Sequence, residues 1–179
     1  MAWTMEEVMD GLGPLLDDLN AIPRDAVAKY LTYSPEVRID HTARAAANCV
    51  YAHMEASAPR LEAHPGIVFK DIRGLKVWLY RDLAVIRFKR MDEDGRFRRY
   101  PTKQAKAYDR NAPLPGLPEP AARLAVGYLL DPTGTTVLRV QVAPPLSRGV
   151  DWCAAVVPTE EREVGERAWV DVTRQRRFA

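Results

Sequence analysis

The chain has 179 residues, 47% of them apolar, 28% charged and 8% aromatic. That size and balance predict one folded domain that buries roughly 70% of the surface its unfolded chain would expose and needs no disulfide or metal to fold. The longest stretch without a charged side chain, Ala45 to Met54, is ten residues, half of the ~20 that a bilayer-spanning helix requires, so a membrane protein of that kind is excluded. Twenty-six basic and 24 acidic side chains leave a formal net charge of +2, a total that by itself points to no partner.

The total is a cancellation. Residues 1–66 carry 5 basic and 10 acidic side chains and residues 67–110 carry 13 and 6, whereas 111–157 (3 and 3) and 158–179 (5 and 5) balance. Charges are screened over about 8 Å at physiological salt, so a partner meets the local patch and not the sum.

In chain order, Thr4 followed by Glu7 reads as a capping box, and Met5, Val8 and Leu12 recur at helical spacing behind it. Glu6, Glu7 and Asp10 stand where a secretory signal would be basic and then apolar, which predicts a cytoplasmic chain. Gly11, Gly13 and Pro14 interrupt the helix, a second piece carries Leu15, Leu16 and Leu19, and Pro23 opens another with Val27, Tyr30 and Leu31. Ser34-Pro35-Glu36 starts a further helix to about Ala58, with Ile39, Ala43, Ala46, Val50 and Met54 on one stripe. Residues 1–65 are therefore expected to be helical and acidic.

From Gly66 the apolar period falls from 3.6 to 2, the mark of strands. Leu75–Tyr80, Leu83–Met91 and Arg96–Tyr100 form one set, parted by Arg81-Asp82 and by Asp92-Glu93-Asp94-Gly95, both read as even-length turns. Thr102 caps a short helix to Tyr108. A proline-rich connector at 112–120 follows, then strands at Leu124–Leu130, Thr135–Ala143 and Val150–Val157, and a charged tail over 158–179 with a short strand-like patch, Trp169-Val170-Asp171-Val172. The expected fold is α+β: N-terminal helices packed on a mostly antiparallel, twisted sheet of about six strands, with 66–157 as the sheet part of one domain.

If both turns are even, pleat parity divides the basic segment into two faces. Leu75, Val77, Leu79, Ala84, Ile86, Phe88 and Phe97 share the core face. Lys76, Trp78, Tyr80, Val85, Arg87, Lys89, Arg96, Arg98 and Tyr100 share the other, with Lys103 and Lys106 on the next helix. Cations interleaved with aromatics suit nucleic acid, since Lys and Arg neutralise phosphates and Trp or Tyr stack on bases at about 1–3 kcal/mol each. The plainer alternative is a solvated sheet face whose cationic stems lie over Trp78 and Tyr80, partly covered by the acidic helices. An acidic protein surface would satisfy the same cations.

No motif identifies a reaction, and no cofactor is called for. His41 and His53, 12 residues apart, do not share a helix face. Cys49 and His53 do, but two ligands are half of what structural zinc needs. Cys49 and Cys153 lie in apolar surroundings and are expected as reduced, buried thiols. A helix, a three-stranded meander and another helix invite comparison with metal-dependent nucleases of the restriction-endonuclease type, whose central strand places an acidic residue two before a Lys. Here that place reads Arg87-Phe88-Lys89. The strong form of the motif fails, and a looser set, Asp92 or Asp94 with Gln104 and Lys106, is better explained by turn and helix surface. The Pro-x-x-Pro spacing of residues 113–120 allows a polyproline ligand, with a stiff connector as the plainer account.

Three functional readings result. The first is a non-enzymatic binding or regulatory module that uses the basic aromatic face for nucleic acid or an acidic partner. The second is an adaptor whose acidic helices, through Asp10, Asp17, Asp18 and Asp25, hold a basic DNA-binding regulator. The third is a metal-dependent nuclease.

Overall fold

Thr4 begins the first helix as its spacing from Glu7 predicts: the threonine hydroxyl accepts the Glu7 N–H at 3.2 Å and the Glu7 carboxylate accepts the Thr4 N–H at 2.9 Å. The computed structural model describes residues 3–97, 102–119, 121–145 and 152–173. Helix α1 (Met5–Gly11) passes through a 3₁₀ turn at Gly13–Leu15 into α2 (Leu16–Leu31). Helix α2 runs straight through Pro23, where the sequence suggested a fresh start. An interior proline costs a helix about 3 kcal/mol, but Leu16, Leu19, Ile22, Ala26, Val27 and Tyr30 are all buried, and burial of each larger side chain contributes about 1.5–3 kcal/mol. Beyond it lie α3 (Pro35–Ile39), capped by Ser34, and α4 (Ala43–Ser57), capped by Thr42. The single helix expected from Ser34 is thus two, and of its supposed stripe Val50 and Met54 are buried while Ile39 is 83% exposed.

The chain is α+β with N-terminal helices on a twisted, mostly antiparallel sheet, as expected. The sheet has seven strands rather than six, and they lie side by side in sequence order: β1 (Ile67–Ile72), β2 (Leu75–Tyr80), β3 (Ala84–Arg90), β4 (Ala122–Leu130), β5 (Val137–Ala143), β6 (Ala154–Val156) and β7 (Trp169–Asp171). Strand β1 went unread because, at this sheet edge, only Ile67 is buried while its apolar Val68 and Phe69 stay exposed. The expected strand at Arg96–Tyr100 is replaced: Arg96 and Phe97 are irregular, and residues 98–100 lie outside the described residues. Strand β3 instead pairs in parallel with β4. A parallel pair needs a crossover, and here it is made by the 92–97 loop, α5 (Lys103–Asp109) and the proline connector.

One turn overturns the predicted faces. Strands β2 and β3 pair Trp78 with Ile86, Leu79 with Val85 and Tyr80 with Ala84, so three residues, Arg81, Asp82 and Leu83, make the turn, with Arg81 in the left-handed region at φ 50°. An odd loop shifts β3 by one residue against β2 and exchanges its faces. Trp78 and Tyr80 therefore share a face with Ala84, Ile86 and Phe88, and Leu75, Val77 and Leu79 share the other with Val85, Arg87 and Lys89.

The first face is the main core. There Trp78, Tyr80, Ile86, Phe88, Leu124, Val126, Tyr128, Val140 and Val142 meet the buried stripes of α1, α2 and α4. On the second face Leu75, Val77, Leu79 and Val85 form a smaller core with Tyr108 of α5 and with Leu114 and Leu117 of the connector. The prolines of the connector thus carry two leucines into the protein. Cys153 is buried and Cys49 half-buried, both free.

The acidic helices pack on the first face of the sheet, yet α4 reaches the β3 cations: its Tyr51 ring lies 5.6 Å from the Lys89 ammonium. Their four aspartates are engaged within the chain: Asp10 accepts the Trp169 indole N–H at 2.9 Å, Asp17 binds Thr159 and Arg162, Asp18 lies 2.6 Å from His64 Nε2, and Asp25 pairs with Arg60 at 2.8 Å.

Candidate functional site

The ladder between β2 and β3 ends at Trp78 and Ile86, although each strand continues. Beyond that point, among the described residues, Leu75–Val77 pair only with β1 and Arg87–Arg90 only with β4, which leaves a notch in the described sheet. Helix α4 borders the notch on one side and α5 on the other. Into it the sequence sends Lys76, Arg87 and Lys89, three of the residues singled out from composition.

Each wall supplies an acid. From α4, Glu55 pairs with Lys76 at 3.0 Å. From the end of α5, Asp109, 5% exposed, lies 3.8 Å from the Arg87 guanidinium, itself 12% exposed. Between them stands Lys89, whose ammonium lies 5.6 Å above the Tyr51 ring of α4, a cation–π arrangement worth about 0.5–2 kcal/mol. Among the described residues no carboxylate lies within ion-pair distance of Lys89, so it is the surplus cation of the notch. Burial, and then repulsion from Arg87, lower its pKa to about 8. Burial, with the neighbouring Glu55 carboxylate, pushes the Tyr51 phenol well above its usual range.

Helix α5 is fixed from beneath. The Tyr108 hydroxyl lies 2.6 Å and 2.9 Å from the carbonyls of Val85 and Leu124 and accepts the Leu124 N–H at 3.1 Å, which ties α5 to the parallel pair. The Arg123 guanidinium donates to the carbonyls of Ala107, Tyr108 and Ala112 at 3.0, 3.3 and 2.6 Å, satisfying groups that a helix C-terminus leaves open. Arg87 and Arg123 both lie over the Tyr108 ring, at 5.1 and 5.5 Å. We expect Arg123→Met to cost about 2 kcal/mol in urea denaturation, because three carbonyls lose their donor at once; a loss below 0.5 kcal/mol would show that solvent replaces it freely.

The remaining predicted residues separate. Trp78, 3% exposed, is held between Phe69 and Phe88, each 5.3 Å away, and Tyr80 is buried on the same helical face. Neither is available for stacking on a base. Arg96 is exposed, with its backbone N–H on the Asp92 carboxylate at 2.9 Å. Arg98 and Tyr100 lie outside the described residues. Lys103 and Lys106 are exposed on α5, and Arg110 continues their line at i, i+3 and i+7, opposite the buried Ala105 and Tyr108.

Tyr51, Glu55, Tyr108, Asp109 and Arg123 went unnoticed in the sequence. Only Arg123 carried a signal: one charge in an otherwise apolar strand demands a partner. As for a nuclease centre, Arg87 stands where the acidic ligand is wanted, and the Asp92 carboxylate accepts the N–H groups of Asp94 and Arg96 in a turn. Among the described residues no three His, Cys, Asp or Glu side chains come together as a metal site needs.

The chain matches no protein-family model, and no curated protein or solved structure is significantly similar to it.

Proposed function

We propose that the protein is a non-enzymatic binding module for an anionic partner, nucleic acid foremost, which it engages through the notch and the outer stripe of α5. The supporting observation is Lys89, a cation held in a partly buried place after Lys76 and Arg87 have each found an acid. A desolvated charge without a partner costs stability, and an incoming phosphate relieves that cost. With Lys103, Lys106 and Arg110 exposed alongside, Lys89 makes four cations that face one partner. Because Trp78 and Tyr80 lie in the core, this reading differs from a stacking platform: recognition rests on the phosphate backbone and carries little sequence preference. The adaptor reading draws less support, since its four aspartates already serve the fold.

The test is fluorescence anisotropy with a labelled oligonucleotide of mixed sequence across 50–300 mM salt. About four phosphate contacts give a log–log slope near −3 to −4. Lys103→Glu with Lys106→Glu, both on the surface, should flatten that slope by about 2 and weaken binding on every sequence alike. No binding at 50 mM salt, or a slope near zero, overturns the nucleic-acid reading; binding to polyglutamate alone would assign the notch to an acidic protein.

A further inference from the structure

A second place in the molecule has the form of a ligand site and lies apart from the notch, on the helical face of the sheet. Strands β3 and β4 run parallel and end together at Arg90 and Leu130. Beyond the carboxyl ends of parallel strands the backbone stops and the covering helices do not, and open sheets generally take their ligands there. Here residues of α2, α3 and α4, of β3 and β4 and of the turn between β4 and β5 line a half-open cavity of about 230 Å³. That is below the ~300 Å³ at which drug-sized pockets begin, so its natural scale is one ring or a short chain.

The lining divides by chemistry. Val27 and Val50 represent an apolar wall supplied by α2 and α4. Arg38 and Arg90 also line the cavity, and among the described residues no acidic residue does. Arg38 is aimed by its Nε, which donates to the Tyr33 carbonyl at 3.1 Å, and this leaves its terminal nitrogens for a ligand. Neither arginine has a carboxylate within ion-pair distance among the described residues. Tyr128, 1% exposed, also lines the cavity; its hydroxyl makes no hydrogen bond to any described residue, whereas the Tyr30 hydroxyl is taken up by His41 Nδ1 at 3.0 Å.

We propose that this cavity binds a small organic oxyanion, a carboxylate or phosphate monoester on a compact apolar body, with Arg38 and Arg90 on the anion, Tyr128 donating to one of its oxygens, and the body against Val27 and Val50. Paired guanidinium groups favour planar or tetrahedral oxyanions through parallel N–H bonds. The apolar wall selects against inorganic ions, which gain nothing from it.

Isothermal titration calorimetry with phenyl phosphate and benzoate tests the site, with inorganic phosphate and benzyl alcohol as halves of the ligand. At least one aromatic oxyanion should bind tenfold more tightly than either half, and which of the two binds better tells phosphate from carboxylate. Arg90→Gln, at an exposed position, should weaken that probe at least tenfold, and Tyr128→Phe, which removes one oxygen, about threefold to tenfold, with both variants folded by circular dichroism. Absence of heat from both aromatic probes at 10 mM, equal binding of the two halves, or unchanged affinity in folded Arg90→Gln overturns the proposal.

Discussion

Gly127→Ala should destabilise the protein by more than 4 kcal/mol, a loss few single substitutions reach. Gly127 lies in the middle of β4 opposite Lys89. A methyl group there would stand 2.4 Å from the Lys89 carbonyl oxygen and 2.6 and 2.8 Å from Cγ and Sδ of Met91. The methionine has room to swing aside, since its side chain is flexible. The carbonyl does not, because it belongs to a strand in register with β4. The strands must part or β3 must bend, and either change carries Lys89 and Arg90 with it, so both candidate sites should fail together. Gly13→Ala, where an added methyl would meet nothing within 4 Å, is the matched control and should stay within about 0.5 kcal/mol of the parent. Urea denaturation of the two variants decides the matter; a Gly127→Ala loss below 1 kcal/mol would mean that β3 yields far more easily than the pairing implies.

The second large effect has the opposite sign. Lys89→Met should stabilise the protein at pH 7 by about 2–3 kcal/mol while flattening the salt slope of binding by about 1. In the unfolded chain Lys89 titrates near 10.5, and in the folded protein near 8, a difference worth about 1.4 kcal/mol per pH unit before partial exposure is allowed for. Below pH 8 both states hold the proton and the full penalty is present. Between pH 8 and 10.5 the folded protein has released a proton that the unfolded chain keeps, so the contribution of Lys89 becomes less unfavourable as pH rises. The Cys153 thiol, raised to about 12 by burial, and the buried phenols of Tyr51 and Tyr108, raised likewise, act in the reverse direction above about pH 9, where the unfolded chain ionises first. They do so equally in both proteins. The stability difference between Lys89→Met and the parent should therefore shrink steadily from pH 8 to 10.5, and thermal melts at intervals of half a pH unit will show it as a gap of about 5–9 °C that closes. A constant gap would place Lys89 in water.

Helix existence, the shift at Gly66 from helical to strand period, the capping residues Thr4, Ser34 and Thr102, and the α+β class were all legible, because each rests on local pattern; the cap at Thr42, which divides the helix expected from Ser34, was not. The sheet faces were not. They hung on whether Arg81-Asp82 or Arg81-Asp82-Leu83 makes the turn, and Leu83 looks like the start of a strand. Tertiary contact settles it, since Leu83 packs against the main core and Arg81 takes a left-handed conformation that its side chain disfavours. From that one residue follows the fate of the aromatics: Trp78 and Tyr80, read as exposed companions of Arg87 and Lys89, belong to the core instead. The notch was beyond reach for a different reason. It arises where two strands stop pairing, and its acids come from residues 55 and 109, which no periodicity links to residues 76, 87 and 89. The parallel pairing of β4 with β3 was likewise invisible, since an apolar strand reads alike in either direction.

A sheet whose strands stand in sequence order also sets a schedule for synthesis. Each strand from β2 onward finds its neighbour already made, so the sheet grows from one edge as the chain emerges. Helix α2, made early, is the exception: much of its apolar stripe packs on β4, β5 and β6, strands that begin about 90 residues or more after Leu31. Until they appear, α4 is its main cover. Leu19, Ile22 and Tyr30 are then the surface that a nascent chain offers to chaperones, and the aspartate contacts to residues 159–169 are the clasp that closes last.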